Sequence, residues 1–127
     1  MPHTNKASAP VSVDIPELEG RYVDLGGYTA GFETYKADAD PAEFFRGLPD
    51  DRCQCPHWGV VLAGSISFRF ADHTETFAAG DAYYAPAGHT PVVTAGTELI
   101  EFSPTEALDA TMTVVGANLA AAGGASS

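Results

Sequence analysis

Both cysteines and one of the four histidines of this 127-residue chain fall within one short stretch, DRCQCPHWG at 51–59. Side chains at alternate positions of a β-strand share a face of the sheet. If this stretch is extended, four residues with reactive side chains point the same way: Asp51, Cys53, Cys55 and His57. Thiolate sulfur together with imidazole nitrogen suits zinc, iron or copper rather than magnesium or calcium. The spacing therefore predicts a divalent transition-metal site, with Asp51 as a spare carboxylate.

The same residues allow two other interpretations. An interior thiolate beside a histidine is a candidate nucleophile pair. A buried cysteine can also act only as a small hydrophobic side chain, without any chemical role. Pro56 has no backbone N–H to donate, so a strand through this stretch is expected to bend there or to lie at a sheet edge.

Most of the sequence that must position these residues alternates as β-strands do. Strands are predicted at 28–37, 57–64, 65–70, 74–80 and 82–85, with two more on either side of Gly96 within 91–102. Short strands at this spacing, each followed by a glycine or proline turn, indicate a sandwich or a barrel.

Two helices interrupt the strand pattern. Residues 40–48 form a short helix with Asp40 as its N-cap and Pro41 at its first position. Residues 103–120 form a longer helix that opens with a capping box of Ser103 and Glu106. One face of the longer helix is apolar, which predicts that it covers the strands as a lid: Leu108, Met112, Val115 and Leu119.

The segment GDAYYAPAGHTP at 80–91 resembles the second conserved motif of the cupin superfamily, in which Gly80, Pro86 and Gly88 stand at the motif positions. The first cupin motif ends in glutamate, six residues and glycine, and His57 and Gly64 occupy those two positions. The motifs cover about 50–103, and the strand pattern extends the likeness to most of the chain. The resemblance implies an all-β fold, a cupin-type β-barrel (double-stranded β-helix or jelly roll) with a short helix before the first motif and a C-terminal helix.

The usual cupin metal site takes two histidines and a glutamate from the first motif and one histidine from the second. The paired-histidine positions fall here on Asp51 and Cys53, and the closing histidine position falls on Pro91, with His89 two residues earlier. The motif asparagine falls on Ala95, and the glycine before the first motif falls on Phe45. The standard ligand set is therefore absent, and the resemblance implies a variant metal set: Cys53, Cys55, His57 and His89.

Several other side chains are candidates for the barrel interior. Tyr83 and Tyr84 are adjacent, so one faces the interior and the other the outside. Glu33 and Tyr35 share a face of an early strand and are candidates for the pocket. Trp58, with the opposite parity to His57, is expected in packing or in a subunit contact. His73 at a hairpin tip and His3 near the N-terminus are expected on the surface.

By analogy with the family, three functions remain open. The first is a metal-binding cupin that acts on a small carbonyl or enolisable substrate, as a dioxygenase, isomerase, lyase or cyclase. The second is a non-catalytic sensor of a small ligand, of a metal or of redox state. The third is a metal-free acid–base isomerase that uses His57 and Tyr83 as its catalytic pair.

Composition excludes some partners and predicts others. With 17 acidic and 6 basic residues, the net charge of −11 disfavours nucleic acid and anionic membranes as partners. A small-molecule ligand is expected instead. The N-terminus lacks the features of a secretion signal, which predicts a cytoplasmic protein with reduced thiols. The predicted organisation is an N-terminal arm (1–20), a cupin domain (21–120) and a flexible tail (121–127), and the resemblance implies a homodimer.

Overall fold

The computed structural model describes the backbone of residues 2–126 and the side chains of residues 2–122. Within that part of the chain, nine β-strands precede one long α-helix. Their bounds are β1 Val11–Asp14, β2 Leu18–Leu25, β3 Tyr28–Tyr35, β4 His57–Ala63, β5 Ser65–Arg69, β6 Thr74–Ala78, β7 Ala82–Ala85, β8 Thr90–Val93, β9 Glu98–Pro104 and α1 Thr105–Ser126.

The strands form two antiparallel sheets that share one hydrophobic core. Six strands lie in the order β1-β2-β3-β9-β4-β7, and three lie in the order β6-β5-β8. The core comprises apolar and aromatic side chains from both sheets: Tyr35, Val61, Ile66, Phe68, Tyr83, Ala85, Val93 and Leu99. The predicted cupin-type jelly roll is confirmed. Within the described residues, its sheets remain separate and are not hydrogen-bonded into a closed barrel.

The strands predicted from alternation are present, with ends shifted by a few residues. Gly80 and Gly88 have positive φ angles of 95° and 96° at the turns flanking β7, as the motif predicted. The sequence pattern missed β1 and β2. These two strands extend the large sheet beyond β3, so residues from Val11 onward in the predicted arm pair with the sheet.

The short predicted helix takes a different form. Two 3₁₀ helices replace it, at Pro41–Phe45 and Pro49–Asp51. Asp40 makes no capping hydrogen bond, because its carboxylate forms an ion pair with Arg69. The predicted capping residue Ser103 lies in β9, and its hydroxyl bonds to His57 rather than to a helix N–H group.

The apolar face predicted for the C-terminal helix is confirmed. Val115 is buried, and Leu108, Met112 and Leu119 pack beside it against the cluster that contains Phe45. The side chain of Asn118 donates hydrogen bonds to the backbone carbonyls of Phe44 and Arg46, at 2.7 and 2.9 Å. These contacts hold α1 over the segment that carries both cysteines. The helical backbone continues to Ser126, and residue 127 of the predicted tail lies outside the described residues.

Candidate metal centre

The cysteine-containing stretch is not one continuous strand, contrary to the prediction from its spacing. Asp51 ends a 3₁₀ helix with a positive φ of 54°, and its exposed carboxylate accepts a hydrogen bond from the Gly47 N–H group. Cys53 then pairs with His89: the Cys53 N–H donates to the His89 carbonyl at 2.8 Å. Strand β4 begins only at His57. Asp51 therefore lies outside the group that its parity predicted.

Three of the four predicted metal ligands converge inside the fold. Ligand atoms of Cys53, His57 and His89 all lie within 4.8 Å of one another. The Cys53 Sγ atom is 3.6 Å from His57 Nε2, and the centroids of the two imidazole rings are 5.0 Å apart. All three residues are buried. The fold thus brings together Cys53 from a loop, His57 from β4 and His89 from the second motif.

Hydrogen bonds orient both imidazoles toward this point. His89 Nδ1 lies 2.7 Å from the Pro86 carbonyl, which can only accept, so the proton is on Nδ1 and the lone pair is on Nε2. His57 Nδ1 forms a 2.7 Å hydrogen bond with Ser103 Oγ and lies 3.3 Å from Glu101 Oε1. Fixing the tautomer through the second ring nitrogen is the usual way in which proteins prepare a histidine ligand for a metal.

Cys55 lies beside the group rather than in it. Its side chain is completely buried in the cluster with Phe45 and Val115. Its Sγ is 3.4 Å from the Pro56 carbonyl and also bonds to the Ser103 side chain. Cys55 therefore reaches the centre only through Ser103 and His57. Both cysteines are free thiols.

Burial sets the ionisation of the three residues. Burial lowers the pKa of His57 and of His89 to about 4, so both are neutral near pH 7. Burial raises the pKa of the Cys53 thiol to about 12. Neutral imidazole is the form that binds a metal, and a bound metal would displace the thiol proton. Because His57 is neutral, its 3.3 Å contact with Glu101 is not an ion pair.

One row of inner-face residues, which crosses five strands of the large sheet, lies beside the three ligands. From β2 to β7 the row reads Tyr22, Gly31, Glu101, Gly59 and Tyr83. The Tyr83 hydroxyl donates to Glu101, and the Tyr22 hydroxyl donates to Glu33 in the neighbouring row. Glu101 thus lies between Tyr83 and His57, the two residues predicted to be catalytic.

The two glycines of the row make room for the tyrosine rings. A Cβ atom at Gly59 would lie 2.5 Å from the Tyr83 hydroxyl oxygen, and one at Gly31 would lie 2.8 Å from the Tyr22 ring. Both rings therefore lie flat on the backbone of the neighbouring strand. Larger residues at these positions would move the hydroxyls away from the carboxyls that they bond.

Burial raises the pKa values of the two interior carboxyls. Burial, and secondarily the charge of Glu101, raise the pKa of Glu33 to about 7. Burial also raises the pKa of Glu101 to about 7. Glu33, predicted as a pocket candidate with Tyr35, accepts a weaker hydrogen bond from the Tyr35 hydroxyl at 3.5 Å. The interior of the fold therefore holds carboxyls that titrate near neutral pH.

The remaining sequence candidates separate into interior and surface. Tyr83 is the interior tyrosine, while Tyr84 is exposed and stacks on Trp58 at 5.0 Å. His73 and His3 are exposed, as predicted. His73 pairs with Asp72.

Sequence reasoning missed Glu101, Ser103 and Tyr22. In β9, residues Leu99, Glu101 and Ser103 share the inner face, whereas Ile100 and Phe102 share the outer one. The more apolar face of a strand is normally expected to face the core. The pattern of β9 therefore indicated the opposite orientation. Which face of β9 is buried follows from its register against β3, and that register is known only once the two strands are paired.

Comparison with solved structures identifies the fold. The polyketide cyclase RemF from Streptomyces resistomycificus aligns with 82% of this chain and 79% of its own, at 17% identity and a TM-score of 0.57. An RmlC-like cupin from Shewanella frigidimarina aligns with 80% of this chain and 88% of its own, at 14% identity and a TM-score of 0.55. KdgF from Halomonas sp. aligns with 79% of this chain and 92% of its own, at 14% identity and a TM-score of 0.51. This protein has the cupin fold.

Searches of protein-family models and of curated proteins found no match. Among the described residues, none of the helices has both the length and the apolar character needed to cross a bilayer.

Proposed function

We propose that this cupin binds a divalent transition metal, zinc, iron or copper, through Cys53, His57 and His89. The observation that carries the proposal is the approach of one sulfur and two imidazole nitrogens to within 4.8 Å of one another, with each imidazole held by a hydrogen bond to its second nitrogen. Around a tetrahedral zinc, neighbouring ligand atoms are roughly 3.3–3.8 Å apart. The 3.6 Å between Cys53 Sγ and His57 Nε2 fits that geometry, and small side-chain rotations would bring in His89.

We further propose a small organic substrate with a carbonyl or an enolisable group. A divalent metal with three protein ligands keeps a coordination position open and supplies Lewis acidity there. Glu101 lies against His57 and titrates near neutral pH, which suits a group that accepts and returns a proton. Tyr83 donates to Glu101 and holds its carboxyl in place. Phe68 packs edge-on against His89 at 5.0 Å and excludes water from that side.

Elemental analysis of untagged protein, purified without chelator, tests the metal. We expect near-stoichiometric metal in the parent, its loss in Cys53→Ser and its retention in Cys55→Ser. Cys55 is the matched control, because it is equally buried but bonds to Ser103 instead of pointing to the centre. A parent without metal, or a Cys53→Ser variant that retains it, would contradict the proposal. Loss of metal in both variants would show that Cys55 is also a ligand, as the sequence predicted.

A second candidate is metal-free acid–base catalysis, and one contact favours it. Glu101 accepts a hydrogen bond from Tyr83 and lies 3.3 Å from His57, so it stands between the two predicted catalytic side chains. Turnover of a carbonyl substrate that survives Cys53→Ser and chelation, but not Tyr83→Phe, would support this function over the metal. A sensor without turnover stays the third possibility. Retained metal with no turnover of any carbonyl substrate would favour it.

We also propose a cytoplasmic location, in which both buried thiols stay reduced.

A further inference from the structure

An open groove with a cavity volume of about 620 Å³ runs along the outside of the small sheet. A second part of about 290 Å³ continues it, and Arg52 and Phe70 line both parts. The larger part has the size of a small-molecule site. It also gathers Arg46, Arg52 and Arg69, half of the six basic residues of a chain with a net charge of −11.

Arg52 differs from the other arginines in the described part of the chain. Arg21 and Arg69 pair with carboxylates, and Arg46 donates to the Glu43 carbonyl. The half-buried guanidinium of Arg52 makes neither a hydrogen bond nor an ion pair within the protein. A guanidinium presents a planar set of N–H donors that matches a carboxylate or a phosphate group. An unpaired one at the junction of two grooves indicates a place for an anionic group.

Four carboxylates also line the groove and limit where an anion can sit. They are Glu43, Asp50, Asp51 and Asp72. Asp51 already accepts the Gly47 N–H, so its carboxylate is directed at the backbone. In the smaller part of the groove, Arg52 is accompanied by Asp50 and Asp72 and by uncharged residues such as Gln54. The attractive position for an anion is therefore the guanidinium of Arg52 itself, whose charge no carboxylate in the described part of the chain pairs with.

The aromatic side chain of Phe70 lines the groove together with Arg52. The ring of Phe70 stacks on His73, with centroids 4.8 Å apart and an interplanar angle of 11°. The other neighbour of Phe70 is His89, whose ring is met edge-on at 6.0 Å. Phe70 therefore separates the groove from the metal centre, while its ring offers a flat apolar surface to a ligand.

We propose that this groove binds a small organic anion, whose carboxylate or phosphate group is held by Arg52 and whose apolar part rests on Phe70. The site is distinct from the metal centre, because none of Cys53, His57 and His89 lines the groove. Binding here does not depend on the three metal ligands.

Titrations of ¹⁵N-labelled protein with benzoate, phenyl phosphate and benzyl alcohol, at matched ionic strength, test this site. We expect one or both anions to shift amides of 50–54, 70–73 and 87–90, and the neutral alcohol to leave them unmoved. The anion that binds more tightly shows whether the site prefers a carboxylate or a phosphate group. Arg52→Gln should weaken binding by about tenfold or more. Arg21→Gln, whose guanidinium is occupied by Glu19, is the matched control and should bind like the parent.

Because Arg52 has no partner within the protein, Arg52→Gln is expected to keep the dispersed spectrum of the parent. Unchanged affinity in Arg52→Gln would overturn the proposal. So would shifts that map elsewhere on the fold, or no saturable shift up to about 10 mM of either anion.

Discussion

At the scale of single residues, the interior of this fold is polar on its functional side, and its titratable groups are held largely neutral. Glu33 and Glu101 have raised pKa values because they are buried together, while His57 and His89 have lowered ones for the same reason. The two effects on stability have opposite signs. Both kinds of group are favoured in their neutral forms in the folded protein. The stability that the neutral histidines contribute is lost as pH falls from 6.5 toward 4. The stability that the protonated carboxyls contribute is lost as pH rises from 4.5 toward 7.

Glu33→Gln should therefore change stability in a pH-dependent way. Below pH 4.5 the glutamic acid is protonated in both states, whereas between pH 4.5 and 7 the unfolded chain ionises before the folded one. Relative to the parent, the free energy of unfolding of Glu33→Gln should be higher at pH 8 than at pH 4.5, by up to about 3 kcal/mol. Urea denaturation at the two pH values measures this difference.

Glu98→Gln is the control, since Glu98 lies on the outer face of β9 and pairs with Lys6 at the surface. Its effect should be small at both pH values. If Glu33→Gln shifts stability equally at pH 4.5 and 8, Glu33 does not carry a buried proton.

At the scale of elements, helix α1 closes the end of the fold that holds the cysteines. Val115 fills the cluster around Cys55, and the hydroxyl of Thr111 bonds to the Cys53 thiol. The helix is thus part of the wall of the metal centre. Its stability should decide how well the centre is shielded from water.

Gly116→Ala should stabilise the protein by about 0.5–1 kcal/mol. Gly116 is exposed within α1, its φ is not positive, and a Cβ atom there would meet nothing within 4 Å. Alanine restricts the unfolded chain without disturbing a contact. Thermal unfolding followed by circular dichroism measures the gain.

The control is Gly59→Ala, in which the added Cβ would collide with Tyr83 and stability should fall. A loss of stability in Gly116→Ala would show that the helix backbone at this point is not free to accept alanine.

At the scale of the whole molecule, one part of the outer face of the large sheet is apolar. One row across five strands consists of Val23, Ala30, Phe102, Trp58 and Tyr84 and carries no charge. Trp58, Tyr84, Phe102 and the nearby Tyr28 are each 41–51% exposed. Four half-exposed aromatic side chains present roughly 300–400 Å². That is about half of the ~800 Å² per partner that a stable interface buries, before the aliphatic neighbours are added.

We propose that a second copy of the chain covers this face. An uncharged row lets two chains of net charge −11 approach where their repulsion is least, and the same apolar patch on both copies suits a two-fold interface. Trp58→Ser should convert a dimer into a monomer in light scattering after size-exclusion chromatography. Ala120→Gln, on the exposed side of α1, should leave the dimer intact. A monomeric parent would contradict the homodimer and leave the face to a different partner.

The sequence by itself determined the local structure and the approximate place of the centre. Alternation located seven strands, and the cupin resemblance carried by Gly80, Pro86 and Gly88 implied the jelly roll that the structure confirms. These features are local, because a strand period or a turn glycine depends on neighbours within a few residues. The stretch 51–59 and the second motif were correctly brought to one region.

Only the tertiary structure decided which side chains meet. Cys53 and Cys55 have the same parity, yet the turn before Cys53 and the proline after Cys55 leave one thiol 3.6 Å from His57 and the other against the Pro56 carbonyl and Ser103. Glu101 is 44 residues from His57 along the chain, and its inward orientation depends on pairing β9 between β3 and β4. Strand register sets which face of a strand is buried. The register cannot be derived from a single sequence. Only the fold showed that the carboxyl of Glu101 lies beside the candidate metal centre.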